Sequence, residues 1–279
     1  MAYLEFEIPA RTWDSTQKEI LFAMLAQIGF EGFVEGEYIL QAYIDESRHS
    51  DQSFNEVIDE LADLGIKVQY SFHRTENQNW NKEWEKKFEP VLIEDKVLIR
   101  APFHGAKDDL PCTLIIEPKM SFGTGHHHTT RLMIMEMMNY DLKDKWILDM
   151  GCGTGVLGIY AYKMGAQGVV GIDNDRWAYQ NALENVDLNG AAGMEVRFGD
   201  VGVLKEEKFD FVLANITRNT LVRDMQHYET HLVGGGIMIV SGFLAEDVQY
   251  VLNAAYRCNL SHLSTREVSN WISLSYKKK

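Results

Sequence analysis

Apolar and polar residues alternate over residues 3–8, the period of a strand with one buried face. Over residues 15–28 the spacing becomes helical: Ile20, Leu21, Met24, Leu25 and Ile28 form one stripe, and Gly29 follows as a stop. Residues 30–34 and 38–44 read as two short strands around a turn at Glu35-Gly36-Glu37. Phe54, Val57, Ile58, Leu61 and Leu64 mark a second helix closed by Gly65, and residues 66–72 read as a last strand. The order β-α-β-β-α-β predicts a small α+β ferredoxin-like domain over residues 1–75. This stretch has no cysteine, no glycine-rich loop and no nucleophile–base pair, so a recognition role is expected of it rather than chemistry.

Residues 76–90 are polar, with Trp80, Trp84 and Phe88 on one helical face and Pro90 as the stop, which predicts a helical linker. From residue 91 the pattern changes. Residues 91–99 and 113–117 read as short strands, after which apolar strands alternate with amphipathic helices up to residue 255. Such alternation implies a mostly parallel sheet covered on both faces. Two consecutive strands, 260–268 and 271–276, predict a closing antiparallel edge hairpin.

Composition narrows the class. The 279 residues are 46% hydrophobic and 24% charged, ordinary for a globular chain. No apolar run approaches the roughly 20 residues that span a bilayer. The N-terminus lacks the basic stretch of a signal peptide. Three scattered cysteines argue for reduced thiols, and these features together predict a soluble, cytoplasmic protein. The net charge of −14 disfavours direct nucleic-acid binding. Residues 1–75 hold 14 acidic and 5 basic residues; this acidity serves solubility or attracts a basic partner, and composition leaves both open.

The strongest chemical signal is Asp149-Met150-Gly151-Cys152-Gly153-Thr154-Gly155, between an apolar strand and a helix. Gly151, Gly153 and Gly155 allow a tight turn and close backbone approach to a ligand. Asp173 ends the next strand, where a carboxylate can accept both hydroxyls of a ribose. A dinucleotide fingerprint is G-x-G-x-x-G, whereas this loop is G-x-G-x-G with Asp149 in front. A carboxylate there would repel a pyrophosphate but suits the ammonium of S-adenosyl-L-methionine.

Two further loops converge on the same chemistry. The run Phe122-Gly123-Thr124-Gly125 precedes His126-His127-His128 and Thr129-Thr130, which open an apolar helix. The threonines read either as helix caps or as ligands of a carboxylate. The triple histidine is not a metal site by spacing, since adjacent helical residues point apart and no further ligand stands nearby. The methionines of residues 133–138 read as core. Asn215-Ile216-Thr217 follows a buried strand, where ligands of parallel sheets bind. Asn215 reads either as a helix cap or as an amine-facing acceptor and donor.

Taken together, NWNKEWEKKFEP, SFGTGHHHTT, ILDMGCGTG, GIDND and ANIT resemble the PrmA family, the methyltransferases of large-subunit ribosomal protein eleven, over nearly the whole chain. The resemblance implies an α/β fold: a Rossmann-like seven-stranded class I methyltransferase domain over residues 91–279, preceded by the small ferredoxin-like domain. It implies S-adenosyl-L-methionine as cofactor, with Thr130, Gly151, Asp173 and Asn215 as contacts and Phe122, Gly123 and Thr124 as a closing loop. It implies methylation of lysine side-chain and N-terminal amines of that basic ribosomal protein, gripped by the N-terminal domain. Asn215, the Ile216 carbonyl and Thr217 would orient the amine; a different amine or amide substrate is the alternative. In one departure from the usual Asp-Pro-Gly, this chain has Glu117-Pro118-Lys119 ahead of the loop.

Overall fold

The computed structural model describes residues 3–11, 13–36, 38–75, 88–105, 110–119 and 121–279. The chain divides into two compact units, Met1–Phe88 and Glu89–Lys279. The helix expected over residues 76–90 falls, apart from its last residues, outside the described residues.

In the first unit β1 (Tyr3–Pro9), α1 (Ser15–Gln27), β2 (Gly32–Glu35), β3 (Ile39–Asp45), α2 (Asp51–Asp63) and β4 (Ser71–Thr75) follow in order. The sheet order is β2-β3-β1-β4 and every pairing is antiparallel, as in a ferredoxin-like fold. The alternation in β1 buries Leu4, Phe6 and Ile8 against Leu21 and Leu25 of α1 and Phe54 and Leu61 of α2. A reciprocal pair starts α1: Asp14 accepts from the Gln17 amide at 2.8 Å, and the Gln17 side chain accepts from the Asp14 amide at 3.1 Å. The last strand begins at Ser71, not at Ile66. Gly65 is left-handed (φ 81°) and sends the Ile66 amide back to the Leu61 carbonyl at 2.8 Å. Ile66 is therefore buried as the hydrophobic end of a helix cap rather than as a strand residue.

The second unit opens with β5 (Val91–Ile93), β6 (Val97–Arg100) and β7 (Cys112–Ile115), a separate sheet in the order β5-β6-β7. The single strand expected over residues 91–99 is thus a hairpin. Glu94 and Asp95 both take positive φ, 50° and 51°, in a three-residue connection, Glu94-Asp95-Lys96, that carries no glycine signal in the sequence.

The main sheet is built from β8 (Trp146–Met150), β9 (Gly168–Asp173), β10 (Met194–Phe198), β11 (Phe209–Asn215), β12 (Leu232–Leu244), β13 (Leu260–Val268) and β14 (Trp271–Lys278). Their order is β10-β9-β8-β11-β12-β14-β13. Five strands are parallel and β14 is antiparallel to both its neighbours, so the closing hairpin inserts β14 beside β12 and leaves β13 at the edge. The helices are α3 (His128–Met137), α4 (Val156–Lys163), α5 (Arg176–Leu188), α6 (Arg218–His231) and α7 (Val248–Arg257). Successive residues of one strand face opposite layers. Ile147, Val169, Leu213 and Ile239 pack with α3, α4 and α5; Leu148, Val170, Val212 and Val240 pack with α6 and α7. Met133 and Met137 are wholly buried in the first of these layers. The order reverses between β8 and β11, and at such a reversal the loops leaving neighbouring strands part to open a crevice.

Among the described residues no helix is long and apolar enough to cross a membrane. The three cysteines are free and buried.

Candidate active site

The crevice holds a cavity of about 600 Å³ at the carboxyl ends of the parallel strands. Gly151 and Gly153 line it from the loop after β8, Asp173 from the end of β9, Asp200 and Val201 from the loop after β10, and Asn215, Ile216 and Thr217 from the end of β11. Phe122, His127 and Trp271 also line it.

The glycine positions are set by contact. Gly151, Gly153 and Gly155 take φ of 64°, 55° and 79°, which favour glycine over any residue with a Cβ. A Cβ on Gly153 would collide with the Phe122 carbonyl oxygen, and one on Gly151 with the Ile216 side chain. The loop therefore passes between two others with no room for side chains. Thr154, wholly buried, locks the contact: its amide donates to the Phe122 carbonyl at 2.9 Å and its hydroxyl to the Gly123 carbonyl at 2.8 Å.

Asp173 is held from both sides. Its Oδ2 accepts from the Gly153 amide at 2.9 Å and its Oδ1 from the Asp175 amide at 2.9 Å. Each oxygen keeps further lone-pair capacity, so the fixed carboxylate can also accept from a ligand's hydroxyls. Asp149 lies deeper, 1% exposed and behind the cavity wall, where its Oδ2 accepts from the Gly158 amide in the first turn of α4 at 3.0 Å. Burial, with the Asp173 charge nearby, pushes its pKa up to about 7, against the Gly158 hydrogen bond.

The residues singled out in the sequence thus fall into two layers. Phe122, Gly151, Gly153, Asp173, Asn215, Ile216 and Thr217 form the wall; Gly123, Thr124, Thr130, Asp149 and Gly155 stand outside the lining set. Thr129 and Thr130 are not caps. His127 is the N-cap of α3, its Nδ1 accepting from the Thr129 amide at 3.3 Å, and both threonines sit wholly buried in the first turn. Nor does Asn215 cap α6, because Thr217 holds that position. The Asn215 Oδ1 and the Thr130 hydroxyl are buried polar atoms without a partner among the described residues. Such orphans are rare unless a ligand or water satisfies them.

The three histidines part company. His126 reaches the Glu89 carbonyl at 2.9 Å, His127 reaches the Thr129 hydroxyl at 2.8 Å, and the His128 Nδ1 is buried. Among the described residues no group of three or more His, Cys, Asp or Glu side chains is placed to hold a metal. His127 stacks edge-on to Trp271, ring centres 4.6 Å apart, and tilts against Phe122 at 5.0 Å. Desolvation, followed by the neighbouring His128, lowers the His127 pKa and favours its neutral form.

The sequence reading missed Asp200, Trp271 and His127 as wall residues. Asp200 had a legible signal, since Gly199-Asp200 ends a third adjacent parallel strand. Trp271 had none: it is presented by the turn Ser269-Asn270, whose positive φ values of 49° and 69° close the β13–β14 hairpin far along the chain.

The cavity suits S-adenosyl-L-methionine on its own terms. Asp173, Asp175, Asp200 and Asp224 against Arg223 leave the wall net acidic, which favours a ligand bearing a sulfonium and an ammonium and repels a pyrophosphate. The glycine cradle permits close approach, and the orphaned Asn215 Oδ1 provides an acceptor.

Comparison with known proteins agrees. The family described as Ribosomal protein L11 methyltransferase (PrmA) matches residues 14–279. The chain is 43% identical over 263 residues to the ribosomal protein L11 methyltransferase of Porphyromonas gingivalis, covering 94% of this chain and 91% of that one. It is 36% identical over 278 residues to that of Phocaeicola vulgatus, covering 99% of each. Among solved structures, a ribosomal protein L11 methylase from Lactobacillus delbrueckii subsp. bulgaricus shares the fold, with a TM-score of 0.63 and 22% identity over 69% of this chain and 99% of that one. With four strand ends meeting at one acidic cavity and a match over nearly its full length, the chain belongs to the PrmA family of S-adenosyl-L-methionine-dependent protein methyltransferases.

Proposed function

We propose that this protein methylates lysine side-chain and N-terminal amines of ribosomal protein L11 in the cytoplasm. The observation that carries the reading is Asn215: on the cavity wall, its Oδ1 is a buried acceptor without a donor among the described residues. An amine has N–H groups to give such an acceptor and a lone pair to spare for attack. The Ile216 carbonyl lies against Gly242, where a side chain would collide with it, so this loop is fixed in place. Bound in the cavity, S-adenosyl-L-methionine supplies the electrophilic methyl.

The chain's own residues do the rest. Asn215, with the Ile216 carbonyl and Thr217, orients the amine. Holding reactants in line is worth several kcal/mol without covalent help from the protein. Phe122, His127 and Trp271 pack into an aromatic wall that a bound substrate would cover. Desolvation of the bound amine lowers its pKa, from about 10.4 for a lysine and about 8 for an N-terminal amine, which favours the nucleophilic form, and the proton leaves to solvent. We assign Phe122, Gly151, Gly153, Asp173 and Asn215 to direct cofactor contact, with Gly123, Thr124, Thr130, Asp149 and Gly155 supporting them from behind.

The N-terminal unit, with its large acidic excess, would hold the basic substrate. Complementary charge of this kind speeds encounter more than it tightens binding. Mass spectrometry of purified ribosomal protein L11, incubated with the enzyme and S-adenosyl-L-methionine, tests the proposal. Successive 14-dalton gains on amines are expected. No gain, from enzyme that binds the cofactor, would move the substrate to another amine or amide.

A further inference from the structure

Three asparagines follow at helical spacing, Asn181 and Asn185 within helix α5 and Asn189 at its C-cap. At the two interior positions helix formers would serve better unless the side chains had partners. They do. β7 and its continuation to Glu117 form the outer strand of the small sheet. One edge pairs with β6, to which the Ile116 amide donates through the Arg100 carbonyl at 2.8 Å. The other edge is satisfied by the asparagines. Asn189 accepts from the Ile115 amide at 2.9 Å and donates to the Ile115 carbonyl at 2.6 Å. Asn185 accepts from the Glu117 amide at 2.8 Å, and Asn181 donates to the Glu117 carbonyl at 3.2 Å. The helix thus substitutes side-chain amides for a missing neighbouring strand.

Asn185 differs from the other two. Its Nδ2 does not return to the strand but donates to the Thr154 carbonyl at 2.9 Å, in the glycine loop. Thr154 in turn holds the carbonyls of Phe122 and Gly123. One wholly buried amide therefore spans the strand that leads into the Phe122 loop and the loop that Phe122 packs on. A closed ring runs from Glu117 along the chain to Phe122, across to Thr154, and through Asn185 back to Glu117.

We infer that Asn185 is a positioning residue for methyl transfer: it fixes Thr154, and through it sets Gly153 and Phe122 at the cavity wall. Asn185 itself is wholly buried and does not line the cavity. Asn189 makes the same kind of bond one helical turn away without reaching the cavity loops, which makes it the internal control.

The test compares Asn185→Ala, Asn185→Asp and Asn189→Ala in the full chain. Three quantities are read: thermal midpoint, affinity for S-adenosyl-L-methionine by titration calorimetry, and kcat and KM for methyl transfer. Both alanine variants should lose thermal stability. Only Asn185→Ala should also lose cofactor affinity and kcat, each by tenfold or more. Asn185→Asp keeps an acceptor for the Glu117 amide but turns an oxygen toward the Thr154 carbonyl. It should fold and still lose the cofactor affinity, which covers the case of an alanine variant that does not fold. Cofactor affinity within twofold of wild type in Asn185→Asp, or equal losses of affinity in Asn189→Ala, would overturn the inference.

Discussion

The carboxylate of Asp173 and the backbone amide of Gly153 are joined by a 2.9 Å hydrogen bond across two strand-end loops. The acidic side chain is thereby aimed before any ligand arrives, and the glycine loop is braced by the group that shares its cavity. Preorganisation of this kind lowers the cost of binding.

Replacing Asp173 by alanine removes the brace and the acceptor together. Hydrogen bonds to a charged group contribute about 1.5–3 kcal/mol each. Affinity for S-adenosyl-L-methionine should fall by roughly 10- to 100-fold on that basis. Titration calorimetry reads it, and an affinity within twofold of wild type would remove Asp173 from cofactor binding.

Gly153 and Gly242 should fail in different ways. Both have positive φ, 55° and 98°, and at each an added methyl meets a backbone carbonyl: Phe122 for the first, Ile216 for the second. Gly153→Ala disturbs the cofactor side and should raise the dissociation constant for S-adenosyl-L-methionine. Gly242→Ala pushes on the loop that orients the amine and should lower kcat more than it lowers cofactor affinity. Equal effects of both variants on both quantities would show that the two loops do not divide the work.

Asn215→Ala should cut methyl transfer by about 100-fold if orientation of the amine is its task, since misplacement alone can cost that much. Cofactor affinity, measured separately, should change less. Turnover within twofold of wild type would exclude Asn215 from the chemistry.

Two buried carboxylates should respond to pH in opposite directions. Asp149, raised from 3.8 to about 7 chiefly by burial, holds in the folded state a proton that the unfolded chain has released. Its effect is to reduce stability as pH rises from about 4 to 7, with no further change above. Asp149→Asn lacks that loss and should gain on wild type between pH 5 and pH 8 in urea midpoints. Glu136, 1% exposed, has its pKa lowered: burial would raise it, but the hydroxyls of Ser264 and Ser275 and the Arg266 guanidinium together outweigh that. Its stabilisation is present above the ordinary carboxylate value and lost as pH falls below it. Glu136→Ala strands Arg266, whose Nε lies 2.8 Å away, and should cost about 2–4 kcal/mol, below the full range for a buried pair because Arg266 is partly exposed. A smaller loss at pH 7 than at pH 4 would contradict it.

Much of the fold was legible because its elements obey a single period each. Alternation in β1 and the apolar runs of β8, β9 and β11 named their own burial, and the helices of the second unit began within a few residues of expectation. The misreadings share a cause. At Glu94-Asp95-Lys96 a short turn uses positive φ without glycine, so the chain reverses unannounced. At Ile66 burial comes from a helix cap, which mimics the apolar signature of a strand. At His127 the cap is a side chain seldom used for one, so the threonines beside it read as either caps or ligands.

Local sequence determined the glycine cradle, the acidic strand end at Asp173 and the strand-end asparagine, because backbone conformation and hydrogen-bond capacity belong to single residues and their neighbours. Only the tertiary structure decided which of them share a wall. It set Asp149 behind the cavity while Asp173 faced it, brought Trp271 against His127 from a hairpin at the far end of the chain, and gave Asn185 two loops to join. Those relations depend on strand order and on contacts between distant segments, and no periodicity along the chain encodes them.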